Sequence, residues 1–506
     1  MSAAPAPQVQ NLYDVFRQIK DLEVASAVLQ WDQETMMPSG GQSGRGQVLS
    51  TLTGLKHDLL TSARFSDAID ACAEIAEEDE VAAAQVREAG RRRNHAARVP
   101  SELAQQLAQA ESNGLVAWQR ARKADDFGLF RNELELLIDL IKQKADALTD
   151  DGDRYDSLLD LFDPGCRSAE LTPMFAELRA ELAPLVQAVA DSGQSVDESP
   201  AQGDFPWQKQ LDFGRLVAEQ MGFDFEHGRL DLAAHPFCTS FYASDVRLTW
   251  RYDEKDIRPA LFGIMHEAGH GLYEQGLPPH MQGTPAGDAV GMGVHESQSR
   301  MWENLVGRGK EFWQWAMPKF VEHFPDKKGL QIEQLYPALH TVKPTLIRVE
   351  ADEATYNLHI AARYEIEKAI FANQVSVDDL PELWNQTYFE LLGIRPESDA
   401  NGVLQDIHWS MGAFGYFPSY TLGNLINSQL FEAAKRDIPN MTDHFTNGDF
   451  RPLLQWSREK VHAHGSLYQS SDLVERATGE PMSSSAFLRY IREVTHEVYG
   501  IGAPRV

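Results

Sequence analysis

The sequence predicts a mostly α-helical protein: one large helical body with a small β element near residues 228–252. Three observations predict it. Apolar residues recur three and four apart over long stretches, strand-like alternation appears in only one region, and 506 residues with 43% hydrophobic and 24% charged content can bury a large core without gross disorder. Length alone would suggest two to four units at about 100–200 residues each, but large helical enzymes often form one continuous body.

The elements follow in chain order. Residues 9–31 place Leu12, Phe16, Ile19, Leu22, Ala25 and Leu29 on one stripe, which Val15 and Val28 widen. Similar stripes recur near 102–122, 128–148, 172–190, 350–371 and 484–499, with Pro/Gly-rich breaks near 36–41, 163–165, 192–206 and 276–293. The break at 192–206, with Pro200 and Pro206, is the best linker candidate. One region reads as strand: Val246, Leu248, Trp250 and Tyr252 alternate with Arg247, Thr249 and Arg251.

Charge narrows the partners. Seventy-five acidic side chains stand against 46 basic ones, a formal net charge of −29. Nucleic acid and anionic membranes are bound chiefly through Lys and Arg, so neither is an expected partner. Cys72, Cys166 and Cys238 are odd in number and widely spaced, which suits a reducing compartment. The first residues lack a signal-peptide pattern and no apolar run approaches the roughly 18–20 residues of a membrane span, so a soluble cytoplasmic protein is expected. The cluster Arg87, Arg91, Arg92, Arg93 and Arg98 can form an anion-binding face, but a solvated helix paired with the acidic run Glu74–Glu80 is the preferred reading.

The informative segment is His266-Glu267-Ala268-Gly269-His270. On a helix, side chains four apart share a face, so two imidazoles can hold one metal while the intervening Glu reaches a water as general base. The helical context is legible: Asp256 can cap, Pro259 suits the first turn, Leu261, Ile264, Met265, Ala268 and Leu272 form an apolar stripe, and Gly276 with Pro278-Pro279 ends it. The alternative is two packed or surface histidines. A metzincin would need Gly at 273 and His at 276, where this chain has Tyr273 and Gly276. A third ligand must then come from a second helix. Glu296 lies 26 positions after His270, behind a loop with Gly283, Gly287, Gly291 and Gly293; Glu274, Glu303 and His295 are the alternatives. The glycines are best read as close backbone packing near the site.

At this point the sequence resembles the M32 metallocarboxypeptidases, the carboxypeptidase Taq family. Leu29 to Pro38 (LQWDQETMMP), His235-Pro236-Phe237, Asp245 to Thr249, His266 to His270, His295 to Gln298, Ile347 to Asp352 and Gly402 to Trp409 stand in the family's order along nearly the whole chain. The resemblance implies a single catalytic domain over 1–506, zincin-type and related to neurolysin and angiotensin-converting enzyme. A helical part over about 1–195 would flank a deep groove, and a part over about 206–506 would carry the site. It also implies a homodimer, with His266, His270 and Glu296 on a zinc ion that cobalt can replace. Where better-known peptidases of this ligand type have an Asp four residues after the Glu ligand, this chain has Arg300, so the group orienting a ligand histidine is not evident.

These residues imply a reaction. Glu267 would accept a proton from the water that attacks the scissile carbonyl. His408 and Tyr420, twelve apart with Gly412, Gly415 and Pro418 between them, resemble the pair that stabilises the oxyanion in neurolysin-type enzymes. Arg348 is the leading candidate to hold the substrate's C-terminal carboxylate, with Arg247, Arg300 and Lys343 as alternatives. The strand at 245–252 is expected to offer an edge to an extended peptide. Single residues would leave the C-terminus of peptides with broad preference and poor release of proline. A zinc oligopeptidase or dipeptidyl-carboxypeptidase is the nearest rival, and a non-catalytic helical peptide-binding scaffold a remote one.

Overall fold

The computed structural model describes residues 5–150 and 152–502. Five of the six periodic stretches form helices close to the expected bounds: Pro7–Thr35, Ser101–Ala124, Gly128–Leu148, Ser168–Asp191 and Ser485–Tyr499. The sixth runs over Tyr356–Phe371 and starts late. Asp352 causes the delay, because its carboxylate accepts the backbone N–H of Lys343, Ala354 and Thr355 and the hydroxyl of Thr355, folding a turn before the helix.

The β element has three strands, β1 (Gly228–Leu232), β2 (Cys238–Tyr242) and β3 (Asp245–Trp250), in the order β1-β3-β2. β3 pairs parallel to β1 and antiparallel to β2. It is therefore the central strand, and the expectation that it offers a free edge is corrected: both of its ladders are taken. The alternation holds for Val246, Leu248 and Trp250, all buried. Thr249, expected outside, is also buried, because its hydroxyl donates to the Phe237 carbonyl and accepts from the Phe237 N–H.

The main core extends from Leu103 to Ile491, and a smaller one from Val9 to Ala89 lies among the first helices. The chain changes core near residue 100. The proposed linker at 192–206 is a correction of another kind. Ala201 and Phe205 are fully buried, and Phe205 N–H and Gly203 N–H donate to the carbonyls of Glu254 and Lys255. Lys327 Nζ donates to the carbonyl of Pro200 at 3.0 Å. The stretch is therefore fastened to the body at residues 200–205, although most of its residues are exposed.

The arginine cluster lies on the helix Glu80–Arg98, and its partners differ from those expected. Arg92 pairs with Asp288 at 2.6 Å and Glu23 at 3.4 Å, Lys20 joins the same Asp288 at 2.6 Å, and Arg87 donates to the Leu467 carbonyl at 3.2 Å. The cluster fastens the N-terminal helices to the rest of the molecule instead of facing the acidic run at 74–80.

Candidate metal centre and active site

The HExxH segment occupies the middle of the helix Arg258–Gly276. Asp256 accepts the N–H of Arg258 at 2.9 Å and Pro259 follows in the first turn, as anticipated. Leu261, Ile264, Met265, Ala268 and Leu272 face the core. His266 and His270 turn away from that stripe, their rings 4.9 Å apart and perpendicular. The helix Met292–Arg300 crosses them and brings Glu296. That crossing requires Gly269, where a Cβ would stand 2.6 Å from the Gln298 carbonyl oxygen and from Ser299 Cα. On its other side Glu296 leans on the helix Pro418–Asp437 at Gly423, where a Cβ would meet Glu296 Cγ at 2.4 Å. Gly291 and Gly293 also press on neighbours, notably the Asp163 carboxylate, so the glycine-rich loop packs closely there.

The ligand-type atoms of His266, His270 and Glu296 all lie within 4.8 Å of one another. Glu296 Oε2 is 3.6 Å from His266 Nε2 and 3.5 Å from His270 Nε2. A tetrahedral ion with arms of about 2.0–2.1 Å needs donors about 3.4 Å apart, so the set fits such an ion with the fourth position open. The hydrogen bonds behind the ligands agree. His266 Nδ1 donates to Glu303 Oε2 at 2.8 Å, leaving the Nε2 lone pair for a metal. His295 Nε2 donates to Glu274 Oε1 at 2.8 Å, so its Nδ1 accepts from His270 Nδ1 at 2.6 Å, which again frees Nε2. Glu274, Glu303 and His295, considered above as rival ligands, stand behind the ligands. The orienting group missing at Arg300 is Glu303, which sits on a π-helical segment, Met301–Val306, directly after the Glu296 helix. Arg300 holds the other Glu296 oxygen at 2.8 Å.

Glu267 is buried in the same cavity, a space of about 770 Å³ that His266, Glu296, Arg348, Tyr356 and Tyr420 also line. Burial, with Glu296 and Glu303 nearby, pushes its carboxyl up to about 7 against the pull of His266. Tyr420 Oη lies 3.5 Å from His408 Nε2, so the structure brings that pair together beside the cavity. Burial draws His408 down to about 4, with Arg348 and Arg363 adding to the effect and Asp406 opposing it, which keeps it a neutral imidazole.

Arg348 is buried in the cavity wall. Its Nε and Nη2 donate to Asp406 at 3.1 and 2.9 Å, and its Nη1 to the Tyr356 hydroxyl at 2.9 Å. Asp406 also takes the fully buried Arg363, so two guanidinium groups share one carboxylate and leave net positive charge in the wall. Arg247 is not brought to the cavity: its Nε and Nη2 both bond Asp245 at 2.9 Å, and its guanidinium lies against Trp31 and Phe241. Arg300 and Lys343 line the cavity. Sequence reasoning missed Tyr356, Asp406 as the Arg348 partner, and the Glu274–His295 relay. Asp406 stood inside a quoted motif, and that was its only signal.

Two histidines and a carboxylate converging in a groove, with a buried Glu beside them, define a metallopeptidase. The comparisons make the class specific. The family model described as carboxypeptidase Taq (M32) metallopeptidase matches residues 11–495. Thermostable carboxypeptidase 1 of Thermus thermophilus is 41% identical over 98% of this chain and 100% of its own, and carboxypeptidase 1 of Bacillus subtilis is 39% identical over 97% and 98%. The crystal structure of an M32 carboxypeptidase from Deinococcus radiodurans R1 superposes with a TM-score of 0.95 at 38% identity, covering 98% of this chain and 100% of that one. The chain belongs to the carboxypeptidase Taq (M32) family, and is a metallocarboxypeptidase acting on peptides.

Gly269→Ala and Gly423→Ala should each weaken metal binding about tenfold or more, because the added carbon displaces Glu296 or its helix. Gly263→Ala, where nothing lies within 4 Å, should leave affinity unchanged; competition against a chromophoric chelator measures all three. The depressed His408 makes a second expectation. The unfolded histidine takes its proton near the ordinary 6.5 but the folded one only near 4, so its contribution to stability is complete above 6.5 and is lost as pH falls between them. Thermal melts across that window should show a smaller acid-induced loss for His408→Gln than for the parent chain.

Proposed function

We propose that this enzyme removes single amino acids from the C-terminus of peptides, with zinc held by His266, His270 and Glu296 and with Glu267 as general base. The observation that carries the reading is the convergence of those three donor groups with Glu267 in one cavity. When bound, zinc supplies a Lewis acid and lowers the pKa of its water to about 7; cobalt can take its place. Glu267 accepts the proton of the attacking water and passes it to the leaving amine. Tyr420 and neutral His408 donate to the oxyanion that develops on the scissile carbonyl.

Exopeptidase polarity comes from Arg348. The surplus charge of the Arg348–Asp406–Arg363 group attracts the terminal carboxylate, and each Nη of Arg348 carries a second N–H beyond those already bonded. The proposal extends to broad side-chain preference with slow release of proline, one catalytic domain over the whole chain, a homodimer and a cytoplasmic location. Family likeness carries the side-chain preference, the single domain and the homodimer, and the odd count and wide spacing of the cysteines support the location.

Digestion of an N-terminally blocked peptide with a free or amidated C-terminus, followed by mass spectrometry, tests reaction and polarity together. One-residue steps from the free acid only, abolished by a chelator and restored by zinc, are expected. Internal cuts or two-residue steps would instead mean an oligopeptidase or a dipeptidyl-carboxypeptidase. Glu267→Gln should keep its zinc and lose turnover by at least about a thousandfold; near-normal turnover would remove the base assignment. Arg348→Ala should lower kcat/KM on free-acid peptides about a hundredfold, while the remaining Asp406–Arg363 pair keeps the site folded. Unchanged efficiency would shift the carboxylate to Lys343 or Arg300.

A further inference from the structure

Glu367, on the helix Tyr356–Phe371, is a fully buried carboxylate that no step above uses. Three donors converge on it. Tyr155 Oη and the Gly415 N–H reach Oε2 at 2.8 Å each, and Trp409 Nε1 reaches Oε1 at 2.7 Å. Two of these, the indole and the peptide N–H, can only donate, so both oxygens must accept. Among the described residues no Lys, Arg or His forms an ion pair with it. Arg363, one turn earlier, donates instead to Asp406, Gln405, Tyr388 and its own helix. An unpaired buried carboxylate is costly, and burial does push this one up to about 7 against its three donors.

The two backbone stretches it grips are informative. Trp409 directly follows His408, and Gly415 precedes Tyr416 and Tyr420, so one carboxylate pins both ends of the turn that joins the two proposed oxyanion donors. Gly415 has φ of +85° and lies so close to Leu158 that a Cβ would be 2.7 Å from its backbone, while Trp409 stacks on Phe414 at 5.8 Å. The carboxylate supplies a polar anchor from another helix to a turn that is otherwise folded by its own bonds, from the Gly412 N–H to the Trp409 carbonyl and from the Ala413 N–H to the His408 carbonyl.

We propose that Glu367 is a positioning residue that sets the His408–Tyr420 separation by clamping Trp409 and Gly415. The proposal rests on the reading of His408 and Tyr420 as oxyanion donors. In Glu367→Gln the amide nitrogen must face one obligate donor, so the turn should loosen. We expect kcat to fall about tenfold with KM within about twofold and zinc content unchanged, together with faster amide hydrogen exchange in the peptide spanning 409–416. Trp409→Phe removes one of the two grips while Glu367 stays, so it should lower kcat in the same way, and the double variant should lose little beyond Glu367→Gln alone. Unchanged kcat, a loss without faster exchange, or fully additive losses in the double variant would each overturn the proposal. Should Glu367→Gln not fold, Tyr155→Phe removes one donor alone and should give a smaller loss of the same kind; no loss overturns the idea. Tyr420→Phe separates the two readings. Full turnover there removes the oxyanion reading itself, and a Glu367→Gln defect beside a fully active Tyr420→Phe overturns the clamp.

Discussion

Everything at the site depends on how closely three helix backbones approach one another around Glu296. The helix carrying the two histidines can touch the Glu296 helix only because residue 269 has no side chain, and the helix carrying Tyr420 can support Glu296 only because residue 423 has none. Helices normally pack about 8–10 Å apart, and glycine at the crossing removes the side chains that set that distance. Gly269 lies inside the HExxH motif at a position the chemistry leaves open. The packing fills that freedom with a requirement of its own.

Close approach gathers donors, but charge must also be balanced where water is excluded. The centre does this with pairs that act twice. Glu303 orients His266 and also faces Arg300 and Arg308. Arg300 completes Glu296, and Asp406 holds Arg348 and Arg363 together. Buried charges left alone would cost several kcal/mol each, so such sharing is what allows so many ionised groups beside one cavity. The Glu274–His295–His270 relay belongs to the same economy, since it fixes a tautomer with a single carboxylate at its outer end.

Much of this was legible in the sequence, and the failures have physical causes. Local rules found the helices, because apolar stripes, Asp256, Pro259 and the Gly276–Pro279 stop act within a few residues. HExxH chemistry and the spacing to Glu296 located the donors. Glu303 was legible only as a rival ligand: its role depends on a π-helical segment, whose wider turn no local pattern announced. Strand alternation identified β3 but could not say which neighbours would pair with it, so an inner strand was read as an edge. The 192–206 stretch looked like a linker because proline and glycine mark irregular backbone whether it is mobile or packed. Partners of Arg87 and Arg92 include Leu467, 380 residues on, and Asp288, 196 residues on, and charge runs say nothing about such distances.

The net charge of −29 also changes meaning once the cavity is known. The cavity wall holds eight carboxylates and six Lys or Arg side chains, and two of those carboxylates are Glu267 and Glu296. A divalent ion at the three donors would bring the wall to near neutrality. Most of the acidic excess therefore lies outside the cavity wall. At physiological salt, exposed charges farther than about 8 Å from the scissile bond are largely screened there. A distant acidic surface can speed the approach of basic peptides in dilute salt, but discrimination at the bond must come from groups in the wall. Of these, Arg348 is backed by the buried Arg363 through the shared Asp406, and that surplus has the sign needed to hold a terminal carboxylate.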